Sequence, residues 1–253
     1  MKVLGIIPAR FGSSRLEGKP LLEIHGKSMI RRVYERTIQS SALHYCLVAT
    51  DHAKIAAECE IHNIPFIMTA SHHLNGTERC GEVLSHLTEH FDLIVNIQGD
   101  EPFIHPESIN ELVQIFHTYP QAEIGTLIKK IENLDFLTNP SIIKVTKSLG
   151  DKALYFSRTA IPYFRDCPNT QDWLKHHIYY KHIGMYAYKS HILPALTRCT
   201  PSPLEEAEKL EQLRWLEHGY SIYVGETNHE SKSIDTFEDY QYILSNFSKY
   251  IHE

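Results

Sequence analysis

The sequence predicts an α/β protein with a mostly parallel central sheet, helices on both faces of that sheet and a smaller β-rich lobe. Short apolar runs alternate with helical patterns through the first half of the chain, which is the order of a parallel sheet with crossover helices. The second half contains paired strand patterns around a turn, which predicts the lobe. Hydrophobic residues make up 42% and charged residues 22% of the 253 positions, which excludes a collagen, a coiled coil and a disordered chain.

Strand and helix patterns follow one another in the first half. The strand patterns are residues 3–7, 45–49, 65–68 and 93–97. The helix patterns, with apolar residues at helical spacing, are residues 29–38, 53–61, 77–90 and 106–119. Ligands of such sheets bind beyond the carboxyl ends of the strands. We therefore expect function in the loops that follow Ile7, Ala49 and Ile97.

The second half is less regular. Its strand patterns are residues 142–147, 153–157, 181–188 and 220–224, of which the first two flank a Gly-Asp turn and predict a hairpin. A capping-box pattern at residues 202–205 predicts one helix that continues to Gly219. Thr236 is expected to cap a last helix with one apolar face. No linker interrupts the chain, so we expect a single domain over residues 1–253.

Charge and cysteine content exclude several classes of protein. The formal charge of −6, from 31 acidic and 25 basic residues, argues against a polyanion such as duplex DNA as the main partner. The five cysteines never form a CxxC pair, which argues against a disulfide framework or a thiolate zinc site and favours a reducing cytoplasm. No apolar run approaches the ~20 residues that span a bilayer. We expect a cytoplasmic protein without membrane association.

A basic loop follows the first strand pattern. Residues 8–20, which we expect to lack regular structure, contain Arg10, Arg15 and Lys19 among small residues. Cations and accessible backbone N–H groups on such a loop suit a polyphosphate. The alternative is a basic surface loop that is merely solvated.

The loop does not match the two common nucleotide-binding motifs. Five residues rather than four separate Gly12 from Gly18, and Lys19 is followed by proline rather than serine or threonine, so the loop is not a Walker A motif. The chain contains no GxG, so the dinucleotide fingerprint is missing as well. The ATPase and dehydrogenase interpretations lose their main support.

Two aspartates stand at places that suit a metal ion. Asp100 follows the fourth strand pattern, and Asp235 precedes the last helix. Magnesium is usually bound by one or two carboxylates together with phosphate oxygens. The residues alone leave two interpretations open, because Asp100 also suits a turn and Asp235 also suits a position next to a helix cap.

Motifs along almost the whole chain are similar, in order and spacing, to those of one enzyme family. They are residues 7–10, 14–16, 18–21, 49–52, 76–79, 96–102, 154–158, 182–186, 202–205, 210–214 and 234–236. This set resembles the bacterial CMP-KDO synthetases, the 3-deoxy-manno-octulosonate (KDO) cytidylyltransferases. Glu17 departs from the pattern, since the family commonly has proline there.

The resemblance implies a Rossmann-like nucleotidyltransferase fold and transfer of CMP from CTP to the anomeric hydroxyl of KDO, with release of pyrophosphate, for lipopolysaccharide biosynthesis. Residues 1–130 would mainly bind the nucleotide, and residues 131–253 would form the sugar-binding and dimerisation lobe with the C-terminal helix. Mg²⁺ is the implied cofactor, held by Asp100 and Asp235. The implied oligomer is a homodimer, with residues 162–180 as the candidate contact.

The resemblance also implies roles for single residues. The implied catalytic residues are Arg10, Lys19 and Asp100. The implied nucleotide-binding residues are Ala9, Arg10, Arg15, Lys19, Gly76 and Arg79, of which Lys19 would stabilise the transition state. The implied sugar-binding residues are Gln98, Arg158, His182, Tyr186, Glu211 and Gln212, with Arg165 as a further candidate and Arg158 as the partner of the sugar carboxylate.

Two alternatives stay open from the sequence. A cytidylyltransferase for another sugar acid, such as 8-amino-KDO or a nonulosonic acid, would use the same chemistry with a different acceptor pocket, although His182, Glu211 and Gln212 resemble the KDO branch. A non-catalytic nucleotide-binding protein is the second alternative. The presence of Lys19, Asp100 and Asp235 argues against it.

Overall fold

The structure, a computed structural model, describes residues 1–12 and 16–250. The strands are β1 (Val3–Ala9), β2 (Glu23–Ile24), β3 (Lys27–Ser28), β4 (Tyr45–Thr50), β5 (Phe66–Met68), β6 (Leu93–Asn96), β7 (Ile124–Lys130), β8 (Lys144–Lys147), β9 (Ala153–Ser157), β10 (Tyr180–Lys189) and β11 (Ile222–Glu226). The α-helices are α1 (Met29–Thr37), α2 (Ala53–Ile61), α3 (Gly76–His86), α4 (Pro106–Thr118), α5 (Leu134–Thr138), α6 (Trp173–His176), α7 (Leu193–Leu196), α8 (Pro203–Glu208), α9 (Glu211–Glu217) and α10 (Phe237–Ser245).

The chain forms two compact units. The first comprises Met1–Asn110, Tyr188–Thr197 and His229–Glu253, and the second comprises Glu111–Ala187 and Arg198–Asn228. The prediction of an α/β protein with a mostly parallel sheet is confirmed. Within the part of the chain that the structure describes, no helix is long and apolar enough to cross a membrane.

A parallel sheet with β1 at its centre forms the core of the first unit. Ile6 of β1 lies opposite Leu47 of β4 on one side and Asn96 of β6 on the other, and β5 pairs with β4. Nearly all of β1 is inaccessible to solvent, as expected for a parallel strand with both faces covered. Because these strands are parallel, the loops after β1, β4 and β6 begin at the same edge of the sheet.

Side-chain caps and glycines fix the elements around this edge. Asn75 accepts a hydrogen bond from the Glu78 N–H and so begins α3. A Cβ on Gly76 would lie 3.1 Å from the Asn96 side chain, and a Cβ on Gly99 would lie 2.5 Å from the Pro8 carbonyl oxygen. Glycine therefore lets the α3 N-terminus and the loop after β6 approach the end of β1.

The basic loop contains more regular structure than the sequence predicts. β1 continues through Pro8 to Ala9, and Lys19–Leu21 form a turn of 3₁₀ helix. The prediction that residues 8–20 lack regular structure is wrong at both ends. The reason at the first end is strand pairing, since Pro8 and Ala9 lie opposite residues of β4.

The second unit contains the β-rich part of the chain. β8 pairs antiparallel with β9, as the predicted hairpin requires, and with β10, while β7 and β11 are parallel neighbours. β7 has no counterpart among the predicted strands. Its buried pattern is interrupted in sequence by Gly125 and Thr126, which weakens the apolar run.

The predicted helix from residue 203 to Gly219 is two helices. Lys209 adopts a left-handed conformation, with φ 53° and ψ 48°, and its N–H bonds to the Glu205 carbonyl, which ends α8. Leu210 is extended, and α9 begins at Glu211. Gly219, with φ 86°, follows α9 as expected.

The last helix completes an apolar cluster of the first unit. Thr236 caps α10, as the sequence predicts, and the structure adds a capping box with Asp239. Ile243 is buried together with Ile24, Met29, Phe103 and Ile234. The partly buried Tyr240, Leu244 and Phe247 pack against the same cluster. The cap fixes the position of residue 235 in space.

Candidate active site

Lys19, Asp100 and Asp235 meet in the first unit. The Lys19 ammonium lies 2.6 Å from Asp100 Oδ2 and 3.3 Å from Asp235 Oδ1. The Ile234 N–H donates to the Asp100 carbonyl over 3.0 Å, which joins the backbones that carry the two aspartates. The sequence places these residues at the loop after β1, the loop after β6 and the start of α10. Their roles stay predictions, although the structure brings Asp100 and Asp235 to the same ammonium.

Residues before and after the undescribed part of the basic loop, residues 13–15, are held together by a backbone hydrogen bond. Gly18, with φ 67°, donates its N–H to the Phe11 carbonyl over 2.9 Å. The Phe11 ring stacks on His52, with ring centroids 4.0 Å apart. Arg10 is exposed just before this anchor. Arg15, a predicted phosphate-binding residue, lies outside the described residues.

Further acidic residues lie close to Asp100 and Asp235. The Glu101 side chain accepts a hydrogen bond from the Ser231 hydroxyl. Burial raises the pKa of Glu101 to about 7, and the nearby Asp100, Glu230 and Asp235 act in the same direction. The Lys19 ammonium contacts two carboxylates, and a divalent cation would balance the acidic charge around them.

The donor chemistry fits magnesium. Asp100 and Asp235 supply hard carboxylate oxygens to one point, and Mg²⁺ is usually bound by one or two carboxylates with substrate phosphates. Among the described residues, no group of three or more His, Cys, Asp or Glu side chains is arranged to hold a metal ion. A metal at this place would depend on ligands from the substrate.

Arg79 is buried rather than solvated. Its guanidinium donates to Asp51 Oδ2 over 2.9 Å, to the Ala70 carbonyl over 3.3 Å and to the Thr69 hydroxyl. The side chain is only 3% exposed. Arg79 therefore ties α3 to the carboxyl ends of β4 and β5. Its predicted role in cytosine recognition stays a prediction, as do those of Ala9 and Gly76.

In the second unit, His182 and Tyr186 lie together on β10. His182 Nε2 is 2.9 Å from the Thr126 hydroxyl oxygen, and burial lowers the pKa of the imidazole to about 3. The Tyr186 ring lies 5.3 Å from the His182 ring and meets Trp215 of α9 edge-on at 5.2 Å. His182 is therefore a neutral hydrogen-bonding group at neutral pH.

The other predicted sugar-binding residues have different surroundings. Gln212 is buried at the start of α9, next to the half-buried Glu211. Arg158 directs three of its side-chain donors at backbone carbonyls of the second unit. Gln98 is half-buried after β6 in the first unit, and Arg165 is almost fully exposed.

Three charged residues near these positions were not singled out from the sequence. Asp51 belongs to a motif that supported the family resemblance and pairs with Arg79. Lys144 and Glu208 carry no motif signal, and their partners lie elsewhere in the second unit. Only the fold makes their contacts visible.

Comparison with known proteins decides the family. The family model described as a cytidylyltransferase matches residues 4–227. The chain belongs to the cytidylyltransferase family. A relative from Cytophaga hutchinsonii, named 3-deoxy-manno-octulosonate cytidylyltransferase, is 47% identical over 94% of this chain and 95% of its own length. A relative of the same name from Fusobacterium nucleatum is 44% identical over 97% of this chain and 96% of its own length.

One solved structure is similar to this chain over almost its full length. The structure of a CMP:2-keto-3-deoxy-manno-octonic acid synthetase complexed with CTP superimposes with a TM-score of 0.90 at 36% identity, over 98% of this chain and 99% of that one. The resemblance derived from the motifs and the nucleotidyltransferase fold are both confirmed.

Proposed function

We propose that this chain transfers CMP from CTP to the anomeric hydroxyl of KDO, giving CMP-KDO and pyrophosphate for lipopolysaccharide biosynthesis. The relatives carry the name of this activity, and the similar solved structure holds CTP. In this chain the proposal rests on one observation, the meeting of Lys19 with Asp100 and Asp235. Transfer at phosphorus needs positioned reactants and neutralised charge rather than a covalent intermediate.

The cations of the basic loop bind the triphosphate. An ammonium has three N–H donors, so Lys19 can keep a carboxylate contact and still donate to a phosphate oxygen. Its place at the α-phosphate would offset the charge that develops as pyrophosphate leaves. Arg10 and Arg15 precede Lys19 in the same loop and would hold the outgoing phosphates.

Mg²⁺ is the cofactor that we propose, held by Asp100 and Asp235. When bound, the metal neutralises phosphate charge and favours ionisation of a nearby hydroxyl. The chain contributes the positions of the ligands. The backbone bond between Ile234 and Asp100 keeps the two loops together, and the Thr236 cap orients the residue before it.

The second unit supplies groups for the sugar acid. His182 is held neutral by burial, so it offers one donor and one acceptor rather than a charge. Tyr186 and Gln212 add polar groups for the sugar hydroxyls, and Glu211 precedes Gln212 at the start of α9. Arg158 has five N–H donors, so its three carbonyl contacts leave capacity for a carboxylate.

We also propose that the chain acts as a homodimer in the cytoplasm. A cavity of about 980 Å³ in the second unit is lined by residues of the predicted contact, including Pro162 and Ile178. Leu149 and Leu154 line the same cavity and are largely exposed. Apolar residues in this setting are typical of an interaction surface. Sedimentation of wild type and Leu149→Glu tests the proposal, since only the wild type should be a dimer.

A ³¹P NMR experiment tests the proposed reaction. The purified protein with CTP, Mg²⁺ and KDO should give a new phosphodiester signal together with the signal of pyrophosphate. Both signals should be missing when either KDO or CTP is left out. Pyrophosphate without the phosphodiester would indicate hydrolysis of CTP and contradict the proposed transfer.

A further inference from the structure

Glu208, the last residue of α8, joins two segments of the second unit through its carboxylate. Oε1 accepts a hydrogen bond from the Ser157 hydroxyl over 2.6 Å, and Oε2 accepts one from the Arg158 N–H over 2.9 Å. Both partners lie at the end of β9 and its following turn. A carboxylate that accepts two such bonds holds the strand end and the helix end in one geometry.

Arg158 makes the reciprocal contact. Its Nε donates to the Glu208 carbonyl over 2.6 Å, and its Nη2 lies 3.5 Å from the Lys209 carbonyl. These are carbonyls at the C-terminus of α8, where the last carbonyls of a helix have no N–H donor within the helix and a cation is favoured. The side chain of each residue therefore contacts the backbone of the other: the Glu208 carboxylate accepts from the Arg158 N–H, and the Arg158 guanidinium donates to the Glu208 carbonyl.

A buried lysine holds the backbone of Arg158. The side chain of Lys144 is fully buried, and its ammonium donates to the carbonyls of Asn139, Ile142 and Arg158. Three carbonyls match the three donors of an ammonium. Because burying a cation is costly, this arrangement persists only where the surrounding contacts compensate for it.

These contacts determine where α9 begins. Lys209 turns the chain in a left-handed conformation directly after Glu208, Leu210 is buried, and Glu211 is the first residue of α9. Two residues separate the Glu208 carboxylate from Glu211, so little freedom remains between them. Glu211 and Gln212 are therefore placed by the junction of Ser157, Arg158, Glu208 and Lys209, which we call the α8–α9 junction.

We propose that Glu208 is a positioning residue for the sugar acid: it fixes the α8–α9 junction and thereby the places of Glu211, Gln212 and Arg158. This inference rests on the proposed function of those three residues. Glu208 does not contact either substrate in this proposal. Its effect should appear in recognition of the sugar acid and not in recognition of CTP, whose predicted contacts lie in the first unit.

Steady-state kinetics of Glu208→Ala test the proposal. The KM for KDO should rise by about tenfold or more, as expected when partly buried hydrogen bonds to a charged group are lost, while the KM for CTP changes less than about twofold. The KM for KDO of Glu208→Gln should stay within about threefold of the wild-type value. The glutamine amide can keep both contacts, because its oxygen accepts from the Arg158 N–H and its NH₂ group donates to the Ser157 hydroxyl oxygen. Glu206→Ala, an exposed carboxylate on the same helix, is the matched control.

Other outcomes overturn the proposal. A KM for KDO in Glu208→Ala equal to that of the control, in folded protein, would remove Glu208 from sugar recognition. Equal rises in both KM values would indicate a general structural role. If Glu208→Ala does not fold, Ser157→Ala and Glu208→Gln decide by the same KM comparison. Absence of product with wild type would instead contradict the proposed function itself.

Discussion

Lys19 donates a hydrogen bond to Asp100 Oδ2 over 2.6 Å, although 81 positions separate the two residues in the chain. Asp235 contacts the same ammonium from a segment near the C-terminus. The Lys19 ammonium thus connects the loop after β1 with the loop after β6 and with the residue that precedes the cap of α10. The proposed chemistry depends on this cluster, and each of its members can be tested separately.

Replacement of Lys19 should remove most of the turnover. Lys19→Ala is expected to lower kcat by about 10²–10³-fold, because a charge aimed at the transition state contributes on that order. Circular dichroism should show an unchanged fold, since the Lys19 ammonium contacts two loop carboxylates rather than the apolar core of the first unit. Lys27→Ala, which removes a lysine paired with Glu35, is the control. A kcat near that of wild type would exclude Lys19 from the mechanism.

Replacement of Asp235 should weaken metal binding. Asp235→Asn is expected to shift the midpoint of the Mg²⁺ titration at least about tenfold upward, because even residues that only support a ligand change metal affinity by that amount. Direct binding of Mn²⁺, followed by electron paramagnetic resonance, provides a readout that does not depend on activity. Glu238→Gln removes an exposed carboxylate from α10 and should leave both values unchanged. Equal titrations for the two variants would return Asp235 to a purely structural role.

The buried pair of Arg79 and Asp51 should matter for stability. Asp51→Asn leaves the guanidinium of Arg79, 3% exposed, without its charged partner. We expect the free energy of unfolding to fall by about 3 kcal/mol, as is typical when one member of a buried ion pair is removed. Urea unfolding measures the change, with the exposed Glu60→Gln on α2 as control. A loss within about 0.5 kcal/mol of the control would show that the pair is not important for the fold.

The burial of His182 predicts a pH dependence of stability. Its folded pKa is about 3, below the ordinary value of about 6.5, so between these pH values the unfolded chain binds a proton that the folded chain does not. The stabilising contribution is therefore complete above about pH 6.5 and is lost as the pH falls towards 3. Unfolding of His182→Asn should show a smaller loss of stability between about pH 7 and pH 5 than that of His90→Asn, an exposed control. Identical slopes would mean that His182 does not resist protonation.

The elements around the phosphate end of the site could be predicted from the sequence. β1, β4 and β6 are short, mostly apolar runs whose residues are almost all buried. α2 has the bounds that the sequence predicts. The meeting of Lys19 with Asp100 follows from parallel strands, whose carboxyl ends share one edge. The strand and helix patterns depend only on residues that are close in sequence, so they can be identified from a single sequence.

Other features depend on contacts that are distant in sequence. The break between α8 and α9 occurs at Lys209, which carries no glycine or proline signal, and is stabilised by Ser157 and Arg158 acting on Glu208. The burial of Arg79 depends on Asp51, 28 positions away. The local pattern around Lys209 is compatible with one continuous helix, and the pattern around Arg79 is compatible with a solvent-exposed side chain. In both cases contacts with residues distant in sequence determine the structure.

Pyrophosphate release tests the central claim most directly. The purified protein is incubated with Mg²⁺ and CTP and with KDO, 8-amino-KDO, a sialic acid or no sugar. We predict rapid release with KDO and little with the other three samples. Release with a different acid alone would contradict the assignment of KDO as the acceptor. Release with none of them would contradict the proposed reaction and favour a protein that binds the nucleotide without turnover.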